Sequence, residues 1–150
     1  MSGSDRTATP VREALQELRA RLGGRQGLVS AVIHEVNDVP PDGSAKLLEA
    51  YRELIHSVWA TLRGMHGDSL PHGHEGRCGY SELDIIPPCR MTRDHSPAGS
   101  RFISSFHVWR EEDVWIIATG CFAEHPGSSH YVVVVGLARD GFEGMRARSA

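Results

Sequence analysis

Three runs of β-branched and aromatic residues follow one another in the last third of the chain, and they constrain its fold most strongly. Short polar connections at 110–113 and 126–129 separate the runs, so the pattern predicts three consecutive antiparallel strands. An earlier run from Leu28 to Val36 has the same composition and follows Gly27, which predicts a further strand. The three later runs are Phe102 to Trp109, Val114 to Phe122 and His130 to Ala138.

A first segment with helical periodicity precedes the Leu28 run. Thr9 is suited to the N-cap position, and Pro10 to the first helical position, where a missing amide hydrogen costs nothing. Gly23 and Gly24 should end this helix. Its apolar positions recur every three or four residues, at Val11, Leu15, Leu18 and Leu22.

A longer amphipathic stripe predicts a second helix from about residue 44 to about residue 64, with Asp42 or Ser44 as its cap. Its apolar positions are Leu47, Leu48, Tyr51, Leu54, Ile55, Val58, Trp59 and Leu62.

The order of these elements indicates an α+β fold, a two-layer sandwich of two amphipathic helices on a mostly antiparallel sheet of four to five strands. The fifth strand would be the short run at 82–86. We expect a single domain over residues 1–150, with flexible ends at 1–8 and 140–150. Residues 65–100 carry little periodicity and are expected to form a long irregular loop, which is uncommon without a function.

The hairpin register predicts which strand residues share a face. Pairing Trp109 with Val114 places one set of apolar residues on each side of the sheet, so both sides should be covered. The helices cover one side, and the long loop, a ligand or a second copy of the chain would cover the other. We expect a homodimer. The two predicted sets are Phe102, Phe106, Val108, Trp115, Ile117, Tyr131, Val133, Val135 and Leu137, against Ile103, Trp109, Val114, Ile116, Val132 and Val134.

Charge and composition exclude some classes of function. The net charge of −3 gives no broad basic surface for nucleic acid, and no run of apolar residues is long enough to span a membrane. The polar residues 1–9 lack the apolar core of a secretory signal, so we expect a cytoplasmic protein. Its three cysteines, Cys78, Cys89 and Cys121, are then expected to be free thiols.

Several candidate metal ligands are concentrated in the long loop. Imidazole and thiolate groups are the ligands that zinc and related transition metals favour. A metal ion would also organise a segment that has few apolar anchors. We therefore predict a site for zinc or another transition metal, although the spacings match no standard zinc module. The alternative is a solvated loop without metal. The predicted ligands are His72, His74, Cys78, Cys89 and His95.

The same loop contains a short motif, Gly67-Asp68-Ser69-Leu70-Pro71-His72-Gly73. It resembles the nucleophile block of the GDSL hydrolases, and the resemblance implies that Ser69 is a catalytic serine. In that family the serine follows the first strand, and an Asp-x-x-His motif completes the triad. Here the block follows a predicted helix and no Asp-x-x-His occurs downstream. The resemblance covers seven residues.

His107 is the candidate acid or base within the predicted sheet. We expect it beside Ile116, on a face with the small residues Ser105, Ala118, Gly120 and Gly136, which leave room for a packed helix or a ligand. The alternative is a core histidine with satisfied hydrogen bonds.

Two classes of function remain open. The first is a small metal-dependent enzyme or small-molecule-binding domain, whose site forms from the loop at 66–95 over the sheet. The second is a non-catalytic interaction module that binds a partner through an apolar sheet face.

Overall fold

Two helices and four strands account for most of the residues that the structure describes. The computed structural model describes residues 3–68 and 99–139, without the side chains at 3–6, 102, 104 and 106. The helices are α1 (Gly3–Leu22) and α2 (Ser44–His66), and a 3-10 turn (Pro41–Gly43) precedes α2. The strands are β1 (Gly27–Val39), β2 (Arg101–Glu111), β3 (Val114–Glu124) and β4 (Ser129–Arg139).

The four strands form one antiparallel sheet in the order β1-β4-β3-β2. Each predicted strand from 28 onward is therefore confirmed, except the short run at 82–86, which lies outside the described residues. The predicted α+β sandwich of two helices on an antiparallel sheet is also confirmed. Most of the predicted loop at 65–100 lies outside the described residues; its first two residues belong to α2, which continues to His66.

Both helices pack on the same side of the sheet, which we call the helix side. α1 contributes the predicted positions Val11, Leu15, Leu18 and Leu22 to the core there, each at most 2% exposed. α2 contributes Leu47, Tyr51, Ile55, Val58 and Leu62. From the sheet, the fully buried members include Ile116, Phe122, Val133, Val135 and Leu137.

The predicted register was wrong in two places. Trp109 pairs with Ile116 rather than with Val114, a shift of two residues that leaves every side chain on its predicted face. The second error concerns the face of the sheet on which the β4 side chains lie. Ile116 pairs with Leu137, so Leu137 lies on the helix side with Trp109, and not with Ile117. A shift of one residue moves a whole strand to the other face, and so Val132, Val134 and Gly136 lie on the side opposite the helices.

The side of the sheet opposite the helices is apolar, as predicted. Val108, Ile117 and Val134 are all 0% exposed there within the single chain. Because these side chains are already shielded from water in one chain, the doubly apolar sheet gives no reason to invoke a second copy. The homodimer stays a prediction.

The predicted start of α1 was wrong. The helix begins at Gly3, so Thr9 is not its N-cap and Pro10 lies inside it. A proline in that position lacks the amide hydrogen that bonds to the carbonyl four residues earlier. Thr7, which is only 7% exposed, extends the buried stripe one turn before Val11. This burial explains why the helix continues past the proline.

The predicted cap of α2 was also wrong. The N-cap position is Gly43, which has no side chain, and Asp42 belongs to the preceding turn. The Ser44 hydroxyl donates instead to the Glu124 carboxylate at the end of β3. That negative charge lies at the N-terminus of α2, where the helix dipole favours it.

Within residues 3–68 and 99–139, neither helix is apolar enough over a sufficient length to cross a membrane.

Candidate functional site

Polar and aromatic side chains meet where the C-terminal half of α2 lies against β2. On α2 they occupy positions spaced three or four residues apart, which form one stripe of a helix. On β2 they occupy alternate positions, which share one face of a strand. We call this region the α2–β2 seam. It comprises His56, Trp59, Arg63 and His66 from α2, and His107, Trp109 and Glu111 from β2.

One end of the seam is aromatic. The ring centroids of Trp59 and His107 are 3.8 Å apart, and those of His56 and Trp59 are 5.3 Å apart. The Trp59 indole nitrogen is buried and has no hydrogen-bond partner among the described residues. A buried N–H without a partner is unusual in a folded protein. This end of the seam therefore presents an unused hydrogen-bond donor.

His107 lies on the helix side of the sheet, beside Ala118 rather than beside Ile116 as predicted. Burial lowers the pKa of His107, and the charges of Arg63 and His56 lower it further. The imidazole is therefore neutral at pH 7, and a neutral imidazole can accept a proton or bind a metal ion. Its predicted role as an acid or base stays a prediction.

The small residues near His107 make room for a helix. Gly120 lies under Tyr51 of α2, and the Tyr51 hydroxyl donates to Ser105 Oγ at 2.9 Å. Gly136, which was predicted on the same face, lies on the opposite side of the sheet. This part of the predicted pocket is therefore filled by α2 itself.

Trp109 joins the two ends of the seam. Its side chain is 2% exposed, and its indole nitrogen donates to the carbonyl oxygen of Gly67 at 2.8 Å. Gly67 follows the last residue of α2 and has a φ of 82°, which a glycine adopts without strain. This bond fixes the end of α2 against β2.

The other end of the seam is charged. His66 Nδ1 lies 2.9 Å from the Glu111 carboxylate, and Arg19 of α1 lies 3.6 Å from the same carboxylate oxygen. The His66 side chain is 10% exposed. Burial lowers the pKa of His66; Glu111 raises it and Arg19 lowers it, but burial is the largest effect. The imidazole is neutral at pH 7.

The second nitrogen of His66, Nε2, is buried and has no hydrogen-bond partner among the described residues. Within residues 3–68 and 99–139, Nε2 of His66 and Nε1 of Trp59 are the two buried side-chain nitrogen or oxygen atoms without a partner. Both belong to α2 and lie seven residues apart, about two helical turns or 10 Å. The unused polar groups of the described core are thus confined to the seam.

The other predicted site residues cannot be placed. Ser69 and the five predicted metal ligands, His72, His74, Cys78, Cys89 and His95, lie outside the described residues. In the part of the chain that the structure does describe, no three side chains with metal-binding groups are close enough to hold one ion.

The first residues of the hydrolase-like motif are described. Gly67 ends α2, and Asp68 is an exposed residue 3.9 Å from Arg63. In the GDSL hydrolases the block follows a strand. The structure therefore adds no support to that resemblance.

Sequence reasoning did not identify the pairing of His66 with Glu111, because these residues were assigned to a loop and to a turn. One signal was present in the sequence. His56, Trp59, Arg63 and His66 follow a 3-4-3 spacing on the helix stripe next to the apolar one. This spacing does not separate such a stripe from a solvent-exposed one, since His56 and Arg63 are exposed.

A second polar cluster lies at the far end of the sheet. Ser129 Oγ donates to Ser44 Oγ at 2.8 Å, and Ser44 donates to Glu124, which Arg101 contacts at 3.1 Å. Each group in this series of hydrogen bonds has a partner. The cluster therefore stabilises the junction between α2 and the β3–β4 turn and has no unused group for a ligand.

The chain has no significant match among protein-family models, curated proteins or solved structures. Its function has therefore to be inferred from the site itself.

Proposed function

We propose that this chain is a small-molecule-binding domain whose site is the α2–β2 seam, and that binding or catalysis there depends on a metal ion. The observation that carries the proposal is the pair of buried atoms without partners, Trp59 Nε1 and His66 Nε2. Both lie on the part of α2 that contacts β2 in the seam.

Energy considerations support a ligand at these atoms. Leaving a buried donor or acceptor unpaired costs about 1–3 kcal/mol. A folded protein keeps few such groups, and a binding site is one place where they are useful. A ligand that accepts from Trp59 and donates to His66 would recover that free energy. The neutral imidazoles of His66 and His107 favour an uncharged ligand over an anion.

The proposed metal ion would be held by donors from the 72–95 segment, namely His72, His74, Cys78, Cys89 and His95. Zinc and other transition metals suit this set of imidazole and thiolate groups. His107 would then act as the acid or base if the domain is an enzyme. The proposed compartment is the cytoplasm.

Ligand binding at the seam is tested by screening small molecules for a rise in unfolding temperature. Trp59→Phe keeps a ring but removes the unused donor, so it should abolish the shift that a genuine ligand produces. The control is Trp115→Phe on the opposite side of the sheet, where the indole lies under Arg110 at 4.5 Å. If a ligand raises the unfolding temperature of both variants equally, the seam is not its binding site.

The metal is tested separately by native mass spectrometry of untagged protein prepared without chelators. A mass excess of one transition-metal ion per chain, lost in Cys78→Ala and His74→Ala, is the expected result. Retention of the ion in both variants would contradict the proposed ligand set.

A second candidate function, a non-catalytic interaction module, is favoured by β1. This strand has 13 residues and lies at one end of the described sheet, with Val32 42% exposed. Unpaired strand edges are common sites for strand addition by another chain. A homodimer would then form through the edge of β1 rather than through the apolar sheet face that the sequence predicted. A dimer that forms as the concentration of the wild type rises, but that does not form in Val32→Lys, would support this second candidate.

A further inference from the structure

We propose that Ser100 and His125 form a nucleophile and general-base pair, and that the substrate class is a carboxylic ester. This inference goes beyond the proposed function and does not depend on it. Ser100 directly precedes β2, whereas the α2–β2 seam takes its residues from the last part of that strand. The two sites therefore lie at opposite ends of β2.

The pair forms where the ladder between β2 and β3 ends. Arg101 pairs with Glu124 at the last step of that ladder. The next residue of each segment is Ser100 on one side and His125 on the other, and Ser100 Oγ lies 2.7 Å from His125 Nδ1. The hydroxyl can donate to Nδ1 when the imidazole carries its hydrogen on Nε2. A serine within hydrogen-bond reach of a base is the arrangement that activates a weak nucleophile.

The backbone of the β3–β4 turn holds His125 in position. Its amide nitrogen donates to the carbonyl oxygen of Ser128 at 2.8 Å, and the Ser128 amide donates back to the His125 carbonyl oxygen at 3.3 Å. These two bonds close the turn at the residue that carries the base. The position of the imidazole relative to β3 is therefore fixed by the turn.

A second histidine lies against the ring of His125. The His130 side chain belongs to β4, is 3% exposed, and has its ring centroid 4.9 Å from that of His125. Its Nδ1 accepts from the backbone amide of Asp38 in β1 at 3.3 Å. This bond and its burial restrict the His130 ring, which in turn restricts the His125 ring. His130 is thus a positioning residue.

The pair is accessible from solvent. Ser100 and His125 are both only half-buried. The Ser44–Ser129 hydrogen bond at the same end of the sheet differs in this respect, because both of its residues are buried. A reagent in solution can therefore approach the first pair and not the second.

The reaction that this geometry supports is acyl transfer. Ser100 Oγ would bond to the carbonyl carbon of the ester while its proton passes to His125 Nδ1. Collapse of the tetrahedral adduct would then break the bond to the alcohol oxygen, which takes the proton from His125. Water would release the acyl group by the same two steps and restore the serine hydroxyl. The competing role is structural, with the hydrogen bond only joining the ends of β2 and β3.

The test is labelling of the full-length chain with an alkyl fluorophosphonate, which phosphonylates an activated serine with loss of fluoride. We expect one label per chain by intact mass, located on Ser100 by peptide mapping and lost in Ser100→Ala. The matched control is Ser128→Ala, a half-buried serine of the neighbouring turn, which should be labelled like the wild type. Ser69→Ala should also keep the label, since the hydrolase-like motif is a separate candidate.

The role of the base is tested by His125→Gln. Glutamine keeps a side-chain acceptor for the serine hydroxyl but cannot take up its proton. Both the labelling rate and the hydrolysis of p-nitrophenyl acetate should fall by about 100-fold or more, which is the usual contribution of a general base. Unfolding temperatures establish that the variant is folded. Wild-type rates in a folded His125→Gln would overturn the role of His125.

The positioning role of His130 is tested by two replacements. His130→Phe keeps a ring against His125 and should retain most of the labelling rate, whereas His130→Ala should lose it. Equal rates in the two folded variants would contradict positioning by ring contact.

The remaining outcomes concern the serine. A label that maps to Ser69 and is lost in Ser69→Ala would overturn the assignment of Ser100 and support the hydrolase-like motif. A wild-type chain that is neither labelled nor active on the ester would overturn the inference and leave the structural role. Trp59→Phe, which tests the seam, should leave labelling unchanged, so that the two proposals succeed or fail separately.

Discussion

Tyr51 of α2 lies directly over Gly120 of β3, so closely that a Cβ atom at Gly120 would stand 2.9 Å from Tyr51 Cε1 and 3.0 Å from the Val132 carbonyl oxygen. The absence of a side chain at position 120 is what lets the helix approach the sheet there. Tyr51 is 1% exposed and reaches past this point to its hydrogen bond with Ser105.

Gly120→Ala should therefore destabilise the protein. Overpacking of this kind costs about 1–3 kcal/mol in the free energy of unfolding, because both the ring and the carbonyl would have to move. The matched control is Gly64→Ala, an exposed helical position with nothing within 4 Å of the added methyl group. It should stabilise the protein by about 0.5–1 kcal/mol. Urea unfolding measures the free energy of unfolding of both variants. Equal changes in the two variants would contradict the close approach of Tyr51 to Gly120.

The two tryptophans of the seam should respond differently to replacement by phenylalanine. Trp109→Phe removes the bond to the Gly67 carbonyl, which should cost about 1 kcal/mol beyond the loss of ring area. Trp59→Phe removes a buried donor that has no partner among the described residues, so recovery of its desolvation cost of about 1–3 kcal/mol should offset the loss of ring area. Unfolding free energies of the two variants test this order, and a larger loss for Trp59→Phe would show that its indole nitrogen is bonded after all.

The stability of the protein should fall as pH is lowered below about 6.5. Burial lowers the pKa of both His66 and His107, so in that range the unfolded chain binds more protons than the folded one. The free energy of unfolding therefore decreases as pH drops through the unfolded pKa toward the folded values. His66→Gln should reduce this slope, as measured by urea unfolding at several pH values. Gly64→Ala should shift the whole curve without changing its slope.

Arg139 should be important for the junction between α1 and β1. Its guanidinium group contacts Asp113 at 2.6 Å and donates to the carbonyl oxygens of Arg25, at 3.0 Å, and Gly23. Lysine has the same charge but cannot span three acceptors with a planar group. Arg139→Lys should therefore raise hydrogen exchange at residues 23–27 nearly as much as Arg139→Ala does. If the amides at 23–27 exchange as slowly in Arg139→Lys as in the wild type, the positive charge alone is sufficient to hold this junction.

Local patterns in the sequence predicted the elements, because burial of a helix or strand face imposes a period on the side chains. The apolar stripe from Leu47 to Leu62 and the β-branched run from His130 to Ala138 both formed what their periodicity indicated. The pairing register between β3 and β4 was not predicted correctly. Both faces of these strands are apolar, so hydrophobic alternation could not show whether Ile116 or Ile117 lies beside Leu137.

The seam was only partly predictable for a different reason. His107 was identified as a candidate, since a histidine in an apolar strand is conspicuous. Its neighbours Trp59 and Arg63 come from a helix that is distant in sequence, and no periodicity shows which helix stripe faces which strand. The pairing of His66 with Glu111 also depended on where α2 ends, and helix ends are uncertain by one or two residues.

The position of β4 in the sheet has a consequence for the synthesis of the protein. Among the four strands β4 leaves the ribosome last, yet it lies between β1 and β3 and pairs with both. Until residue 139 has emerged, β1 lacks the one described strand with which it pairs, and among the described strands only β2 and β3 can form a hairpin. The apolar stripes of α1 and α2 therefore lack much of their packing surface during translation. The nascent chain completes its core in one late step, and it is most exposed to aggregation just before that step.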